Sequence, residues 1–325
     1  MRPVATTRWR RIILTGSAML ALAALGIYLV YAQDMHRIAQ RVTAGSVLAQ
    51  TRHGPIEYAS WGSGPAVLVV HGAGGGYDQG RLLPQTFGSN GFHWISVSRF
   101  GYLRSAMPDD ASTRAQAEAF ADLLDELNID RVAILAMSGG VPPALQFAEL
   151  YPERTTALVL LSSAPFTPLT ADQQDLPIPA WVYQALFRTD FVFWALTWLS
   201  PSRLDAIFDI SPKARARMTE ADRTFASGLI QAFLPVTART SGLRNEGAAV
   251  DPGANGDLAK ITAPTLVVHA RDDGINPFAV GEYTAQHIPG ATFMVLDDGG
   301  HILLGHLEAV RDRVTAFLRQ HTGAP

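Results

Sequence analysis

The chain of 325 residues contains no cysteine, which excludes disulfide bonds, thiolate zinc sites and a cysteine nucleophile together. A strong charge imbalance is also missing, because the formal net charge is only -3 and the pI lies near 6.3. No basic stripe could neutralise nucleic-acid phosphates, so we expect no nucleic-acid partner. With 48% hydrophobic and 17% charged residues, the chain is long enough for one large core, or for a core domain with a sizeable insertion.

An uncharged apolar run covers residues 12–32, close to the N-terminus. About twenty residues at roughly 1.5 Å each form a helix of about 30 Å, enough to cross the hydrocarbon layer. Four arginines precede this run: Arg2, Arg8, Arg10 and Arg11. With Asp34 behind the run, they favour a cytoplasmic N-terminus and a remaining chain outside the cytoplasm. A retained membrane anchor is the expected interpretation. A cleaved signal segment, which would leave a periplasmic or secreted protein, and a buried helix of a soluble protein are the alternatives.

A strand, a sharp turn and a helix are predicted around Ser138. Residues 131–137 (RVAILAM) form an apolar run, and two glycines and the helix-like VPPALQFAEL follow the serine. Such a turn strains the serine backbone and exposes the hydroxyl, so the residues two before and two after must be small. Ala136 and Gly140 meet this requirement. Because Ser-Gly-Gly also forms ordinary loops, this stretch alone leaves a nucleophile and a plain connecting turn open.

A glycine-rich loop, residues 71–76, follows the apolar run 66–70 (AVLVV). Such loops also bind dinucleotides, but the G-x-G-x-x-G spacing fails because its third position holds Tyr77 or Gln79. No Gly-Lys-Ser/Thr follows, so a phosphate-binding P-loop is excluded as well.

Two later apolar runs end in acid or base side chains. Asp272 and Asp273 follow residues 265–269 (TLVVH), and a Gly-Gly-His turn that ends at His301 follows residues 292–296. Each run has the character of a strand buried in a parallel sheet. Asp272, Asp273 and His301 are therefore expected just after the ends of predicted strands.

Taken together, these motifs resemble the α/β-hydrolase family. Its nucleophile elbow, small-x-Ser-x-small, matches residues 136–140, with Ala136 where the commonest form has Gly. Its His-Gly-x-Gly loop matches residues 71–74, and the order Ser, Asp, His along the chain is the family's order. The resemblance covers nearly the whole chain after Ser46. We expect His71 to brace the loop rather than to catalyse.

The resemblance implies a role for each candidate residue. Ser138 would be the nucleophile, His301 the base and Asp273 the orienting acid, with Asp272 as the alternative acid. The backbone N–H groups of two residues would form the oxyanion hole: Ala73 and Gly139.

The implied fold class is α/β, with a mostly parallel doubly wound sheet, a helical cap insertion and an N-terminal transmembrane or signal helix. The predicted domains are an anchor or signal segment (1–33), a linker (34–45), the first part of the core (46–165), the cap (166–256) and the second part of the core (257–325). Residues 166–256 are too many for a structureless loop, and they are rich in aromatic residues.

Most rings of the predicted cap must hold it together, and a minority would face an apolar substrate pocket. The candidate pocket residues are Phe100, Met137, Trp181, Phe187 and Trp194. Packing of its turn is the preferred interpretation of Phe100. Contact of the rings in residues 191–199 with the bilayer is a further alternative.

The implied function is a serine hydrolase that cleaves a small carbonyl compound, an apolar carboxylic ester, through an acyl-enzyme. No metal or organic cofactor is required. The serine at position 138 argues against the dehalogenase and epoxide hydrolase branches, which carry an aspartate there. The alternatives are a carbon–carbon bond hydrolase, a cofactor-free perhydrolase or haloperoxidase, and a non-catalytic binding protein on the same scaffold. A membrane would be a partner through the N-terminal helix if that helix is not cleaved.

Overall fold

The computed structural model describes residues 5–165, 186–249 and 257–324. The chain divides into two compact units, one up to Thr43 and one from Ala44 onward. The first unit contains all but the last residue of helix α1, Ala5–Ala44. This helix is long and apolar enough to cross a membrane, a test that a signal sequence also passes. The helix therefore runs without a break from the predicted segment 1–33 into the predicted linker 34–45. No Gly or Pro interrupts the polar residues 34–44, and Gly45 follows the end of the helix.

The second unit is built on an eight-stranded sheet with the order β1-β2-β4-β3-β5-β6-β7-β8. Strand β2 pairs antiparallel with β1 and β4, and all pairs from β4 to β8 are parallel. The strands are β1 Val47–Thr51, β2 Gly54–Gly62, β3 Ala66–Val70, β4 His93–Ser98, β5 Val132–Met137, β6 Thr155–Leu161, β7 Thr265–Ala270 and β8 Thr292–Leu296. The predicted mostly parallel sheet is confirmed, and its edge begins with the predicted antiparallel hairpin.

Helices cover both faces of the sheet. The further helices are α2 Tyr77–Gly80, α3 Leu82–Phe87, α4 Thr113–Glu126, α5 Val141–Leu150, α6 Asp190–Leu199, α7 Pro212–Arg217, α8 Glu220–Gln231, α9 Thr240–Ala249, α10 Phe278–His287 and α11 Leu307–Thr322. Residues Leu68 and Ile134 of the sheet form one core cluster with Phe120 and Phe147 of α4 and α5. The alternate strand residues are also buried, and α11 packs against β6 and β7. Burial on both faces explains why these strands are continuously apolar.

The described part of the predicted cap, residues 186–249, is helical. It comprises α6 to α9 and two short 3-10 segments, Pro201–Phe208 and Thr237–Arg239. Four of its rings form a cluster with neighbouring centroids 5.1–6.0 Å apart: Phe187, Phe193, Phe208 and Phe233. These four rings therefore pack the described part of the cap, while Trp181 lies outside the described residues.

Candidate active site

The strand–turn–helix predicted around Ser138 is present. The serine directly follows β5 and has a φ of 53°, and α5 begins three residues later. A Cβ at Gly140 would lie 2.6 Å from the carbonyl oxygen of His71, so a side chain at that position would clash with the neighbouring strand end. The strained turn and its need for small neighbours are thereby confirmed.

Ser138, His301 and Asp273 form a continuous chain of hydrogen bonds. Nε2 of His301 accepts the Ser138 hydroxyl at 3.0 Å, and Nδ1 of His301 lies 3.0 and 3.1 Å from the two Asp273 oxygens. All three residues are buried. Asp272 is instead exposed and accepts the Gly300 N–H at 2.8 Å, so the carboxylate that contacts the imidazole is that of Asp273.

The charges of Asp273 and His301 stabilise each other. Burial acts to raise the pKa of Asp273, but the charge of His301 and hydrogen bonds from His269 and His301 outweigh it and hold that pKa well below its usual range. Burial acts to lower the pKa of His301, but the charge and hydrogen bond of Asp273 raise the pKa of that imidazole above 6.5. The carboxylate is therefore ionised, and it stabilises a protonated imidazole.

Two residues that sequence reasoning did not select, His269 and Asn276, contact the hydrogen-bonded residues Asp273 and Ser138. Nε2 of His269 donates to the carbonyl of Asn276 at 3.0 Å and lies 3.3 Å from Asp273 Oδ2. The amide of Asn276 donates to the carbonyl of Ser162 at 2.8 Å and lies 3.5 Å from the Ser138 hydroxyl. Both side chains are buried, so they fix the loop that carries the acid.

A cap residue, Asp209, approaches the same loops. It follows the 3-10 helix Pro201–Phe208, has a φ of 59°, and accepts the Gly274 N–H at 2.7 Å. Burial, aided by the charge of Asp273, raises the pKa of Asp209 although the Gly274 N–H stabilises its anion. Its charge in turn contributes to the raised pKa of His301. No sequence signal marks Asp209, because its partner is 65 residues away.

The two residues expected to supply oxyanion donors lie next to each other. Ala73 lines the same cavity as Ser138, and a Cβ at Gly139 would lie 3.3 Å from the Ala73 nitrogen. His71 is fully buried, donates from Nδ1 to the Gly72 carbonyl at 2.6 Å and accepts the Arg99 N–H at Nε2 at 3.0 Å. The prediction that His71 braces this loop is confirmed.

A cluster of the buried Arg99 and Tyr102 with the half-buried Glu246 holds the same loop. Nε of Arg99 donates to the His71 carbonyl at 3.0 Å, and the Tyr102 hydroxyl accepts the Gly74 N–H at 3.2 Å. Both side chains also donate to the Glu246 carboxylate on α9. The cluster therefore joins the cap to the loop of residues 71–74, and sequence reasoning missed it because Arg99 and Glu246 are 147 residues apart.

A cavity of about 70 Å³ opens on Ser138 and His301. Its walls are apolar side chains from both the core and the cap, among them Leu83, Met137, Ile207, Phe208, Leu229, Phe233 and Ile302. Among the lining residues that the structure describes, none is Lys or Arg. The space beside the serine hydroxyl thus suits an uncharged apolar group.

The candidate pocket residues have different positions in the structure. Met137 lines the cavity, whereas Phe187 packs behind the lining residue Phe233 at 5.6 Å. Trp194 is buried against Phe191 and Trp198 in α6. Placing Phe100 beside the pocket was wrong, because its turn directs the ring into the core cluster, 6.0 Å from the ring of His53. Trp181 lies outside the described residues.

Within residues 5–165, 186–249 and 257–324, no group of three or more His, Asp or Glu side chains is arranged to hold a metal ion. The acid and base groups described above are instead engaged with one another and with the backbone.

Comparison with known proteins agrees with this architecture. A family model described as the alpha/beta hydrolase fold matches residues 65–305. The uncharacterized hydrolase YcgS of Bacillus subtilis is 26% identical over 270 residues, which cover 77% of this chain and 89% of that protein. A 2-hydroxy-6-oxononadienedioate/2-hydroxy-6-oxononatrienedioate hydrolase of Burkholderia vietnamiensis is 27% identical over 282 residues, 82% of this chain and 91% of that protein.

A solved structure of an alpha/beta hydrolase fold protein from Nakamurella multipartita superposes with a TM-score of 0.70 at 25% identity. The superposition covers 84% of this chain and 99% of the other. The eight-stranded sheet, the strained serine turn and the match over residues 65–305 lead to one conclusion: the chain belongs to the α/β-hydrolase fold family and is a hydrolase.

Proposed function

We propose that this protein hydrolyses small apolar carboxylic esters through an acyl-enzyme on Ser138. The observation that carries the proposal is the chain of hydrogen bonds from Asp273 through His301 to the serine hydroxyl, at the mouth of an apolar cavity. A serine hydroxyl is a weak nucleophile, so an adjacent base must take its proton during attack.

In the proposed reaction, Ser138 attacks the ester carbonyl while Nε2 of His301 takes the hydroxyl proton. The N–H groups of Ala73 and Gly139 stabilise the negative oxygen of the tetrahedral intermediate. The imidazolium then protonates the departing alcohol, and the acyl group stays on the serine. Water, deprotonated by the same imidazole, attacks the acyl-enzyme. The imidazolium then returns this proton to the Ser138 oxygen as the bond to the acyl group breaks and the acid leaves. Asp273 holds the imidazole tautomer that points Nε2 at the serine, and it stabilises the imidazolium.

The cavity favours an ester over the main alternative. The carbon–carbon bond hydrolase relative acts on a dioate, a substrate with two carboxylates. The described residues that line the cavity here include no cation, and the neighbouring Arg99 is already paired with Glu246. A neutral acyl group of small size is therefore the better match. Carbon–carbon bond hydrolysis remains the second candidate because that relative is 27% identical over most of both chains.

The test combines a Ser138→Ala variant with Ser163→Ala as matched control. Ser163 is also buried, and its hydroxyl has no hydrogen-bond partner in the described structure, so this variant removes a serine without touching the reaction. We expect Ser138→Ala to lose turnover of p-nitrophenyl esters by about 10⁶-fold and to lose fluorophosphonate labelling, while Ser163→Ala keeps both.

Three results would contradict the ester proposal. Near-wild-type turnover in Ser138→Ala would remove the serine from its role. Faster turnover of a vinylogous diketone than of a short p-nitrophenyl ester would favour the carbon–carbon bond hydrolase. An inert serine in folded wild-type protein would favour a binding protein on a hydrolase scaffold.

We also propose that α1 is a retained anchor that places the second unit outside the cytoplasm. The support is the length and hydropathy of the helix, with a mean hydropathy of 2.1 in its most apolar window, and the arginines at its start. Mass determination of the mature N-terminus in the membrane fraction tests this. A mature chain that begins after residue 32 would show a cleaved signal instead.

A further inference from the structure

Gln79 is the one polar side chain in the described wall of the cavity apart from Ser138 and His301. It lies on α2, just after the loop of residues 71–76, and it is only 5% exposed. The other described lining residues are glycine, alanine or larger apolar residues. In a mostly apolar pocket, the few polar groups fix the orientation of a ligand and decide specificity. The Gln79 carboxamide is therefore a candidate contact for the substrate.

This carboxamide has no hydrogen-bond partner among the residues that the structure describes. The backbone N–H of Gln79 donates to Asp78 Oδ1 at 2.9 Å, but the side-chain oxygen and nitrogen are unpaired there. The two other buried glutamines of the described chain are paired. Nε2 of Gln116 donates to a backbone carbonyl at 3.4 Å, and Nε2 of Gln146 donates to Glu149 at 3.1 Å. Because a buried unpaired amide is unfavourable, a polar group that enters the cavity beside Gln79 gains a hydrogen bond.

The neighbours of Gln79 fix its position. Arg239 of the cap is fully buried and donates to the two carboxylate oxygens of Asp78, at 3.1 and 2.8 Å, and to the Gly75 carbonyl at 2.6 Å. The same guanidinium donates from Nε to the carbonyl of the lining residue Phe233 at 3.0 Å. A Cβ at Gly75 would overlap the side-chain oxygen of Gln79, so a glycine there leaves room for the carboxamide. The carboxamide is thus preorganised, as a specificity contact must be.

We propose that Gln79 is a specificity residue, which selects esters that carry a neutral hydrogen-bonding group such as a hydroxyl within the cavity. The inference rests on the ester hydrolysis proposed above and narrows its substrate class. A carboxamide both donates and accepts, so a hydroxyl pairs with it whichever way the amide is turned. The described wall contains no Lys, Arg, Asp or Glu, so the selected group is neutral. A methyl group in the same place would leave the carboxamide unpaired, and the site would reject that analogue.

Pairs of esters in which a hydroxyl replaces a methyl group test the assignment. On the acyl side, p-nitrophenyl lactate is compared with the isobutyrate, and p-nitrophenyl 3-hydroxybutanoate with the 3-methylbutanoate. On the alcohol side, 2-hydroxyethyl acetate is compared with propyl acetate. The variants Gln79→Met and Gln79→Leu both lack the amide and keep a similar volume. Gln146→Met is the matched control, because Gln146 is 6% exposed but does not line the cavity.

The measured quantity is the hydroxyl-to-methyl ratio of kcat/KM within each pair. Comparing this ratio between proteins cancels the difference in chemical reactivity between the two esters. In at least one pair, we expect the ratio to be about ten- to a hundredfold higher in the wild type than in Gln79→Met and Gln79→Leu. Gln146→Met should keep the wild-type ratio. The pair that responds shows whether the acyl or the alcohol part of the substrate carries the hydroxyl.

The contrary results separate this inference from the proposed function. If the wild type turns over the esters but all three ratios are the same in both Gln79 variants, Gln79 does not select the substrate and the inference is overturned. An equal change of the ratio in Gln146→Met would also overturn it, because that residue lies outside the cavity wall. If the wild type turns over none of the six esters, the proposed ester hydrolysis is refuted, and the inference is refuted with it.

Discussion

Replacing Glu246 by Gln tests whether the cap controls the loop of residues 71–74. Its carboxylate pairs with Arg99, whose side chain is only 3% exposed, while the Glu246 side chain is 20% exposed. Removing one partner of a buried ion pair costs about 3–5 kcal/mol. The amide keeps an acceptor and part of the site is solvated, so we expect a loss of about 3 kcal/mol in the free energy of unfolding, the low end of that range.

The same substitution should lower the rate. Without the carboxylate, Arg99 and Tyr102 are free to shift, and these two side chains hold the His71 carbonyl and the Gly74 N–H on either side of Ala73. Complete loss of one oxyanion donor costs about 10² to 10³ in kcat. A displaced donor costs less, so we expect kcat to fall by about ten- to a hundredfold. KM should change little, because Glu246 does not line the cavity.

The assay compares kcat and KM for a p-nitrophenyl ester with the affinity for a trifluoromethyl ketone, whose adduct carries the oxyanion. Asp205→Asn is the matched control, because it weakens a cap ion pair with Arg215 that does not touch residues 71–74. Both variants should be destabilised, but only Glu246→Gln should lose kcat and ketone affinity. If Glu246→Gln melts earlier yet keeps both, the coupling between cap and loop does not exist.

Three further outcomes follow from the site. Burial alone would lower the pKa of His301, but its carboxylate partners raise that pKa. We therefore expect kcat/KM to fall on acidification with a midpoint above pH 6.5, and a profile that is flat from pH 5 to 8 would refute this. Asp209→Asn removes one of those charges and should move the midpoint to lower pH in the same pH–rate measurement. Gly74→Ala should lower the free energy of unfolding, measured with urea, by about 1–3 kcal/mol more than Gly290→Ala does. Both glycines have positive φ, but only a Cβ at Gly74 would overlap the Phe233 ring. Equal losses in the two variants would exclude that clash.

The sequence allowed the fold and the three side chains of the proposed reaction to be predicted because each is marked locally. Ser138 stands between a buried strand and small residues, and Asp273 and His301 directly follow apolar runs that become β7 and β8. The hydrophobic pattern of a run, its length and the presence of a glycine beside it can each be read from a few consecutive residues. Parallel pairing then brings the ends of these strands together without any further signal in the chain.

The supporting residues could not be predicted in this way. Glu246 and Asp209 act on partners far away in the sequence, and the helices that carry them are inserted between two parts of the sheet. Phe100 was misplaced for a related reason, because an aromatic residue near a strand end is equally compatible with a pocket and with the core. Only the direction of the turn, which depends on tertiary packing, decides between these positions.

Two backbone amides and two imidazoles converge on the Asp273 carboxylate. Its oxygens are thus locked from several directions, and the group has little freedom to rotate. The orientation of the His301 imidazole, the proposed base, is consequently established when the chain folds. Warming that loosens the short loop of residues 273–276 would abolish activity at a temperature at which the central sheet is still folded.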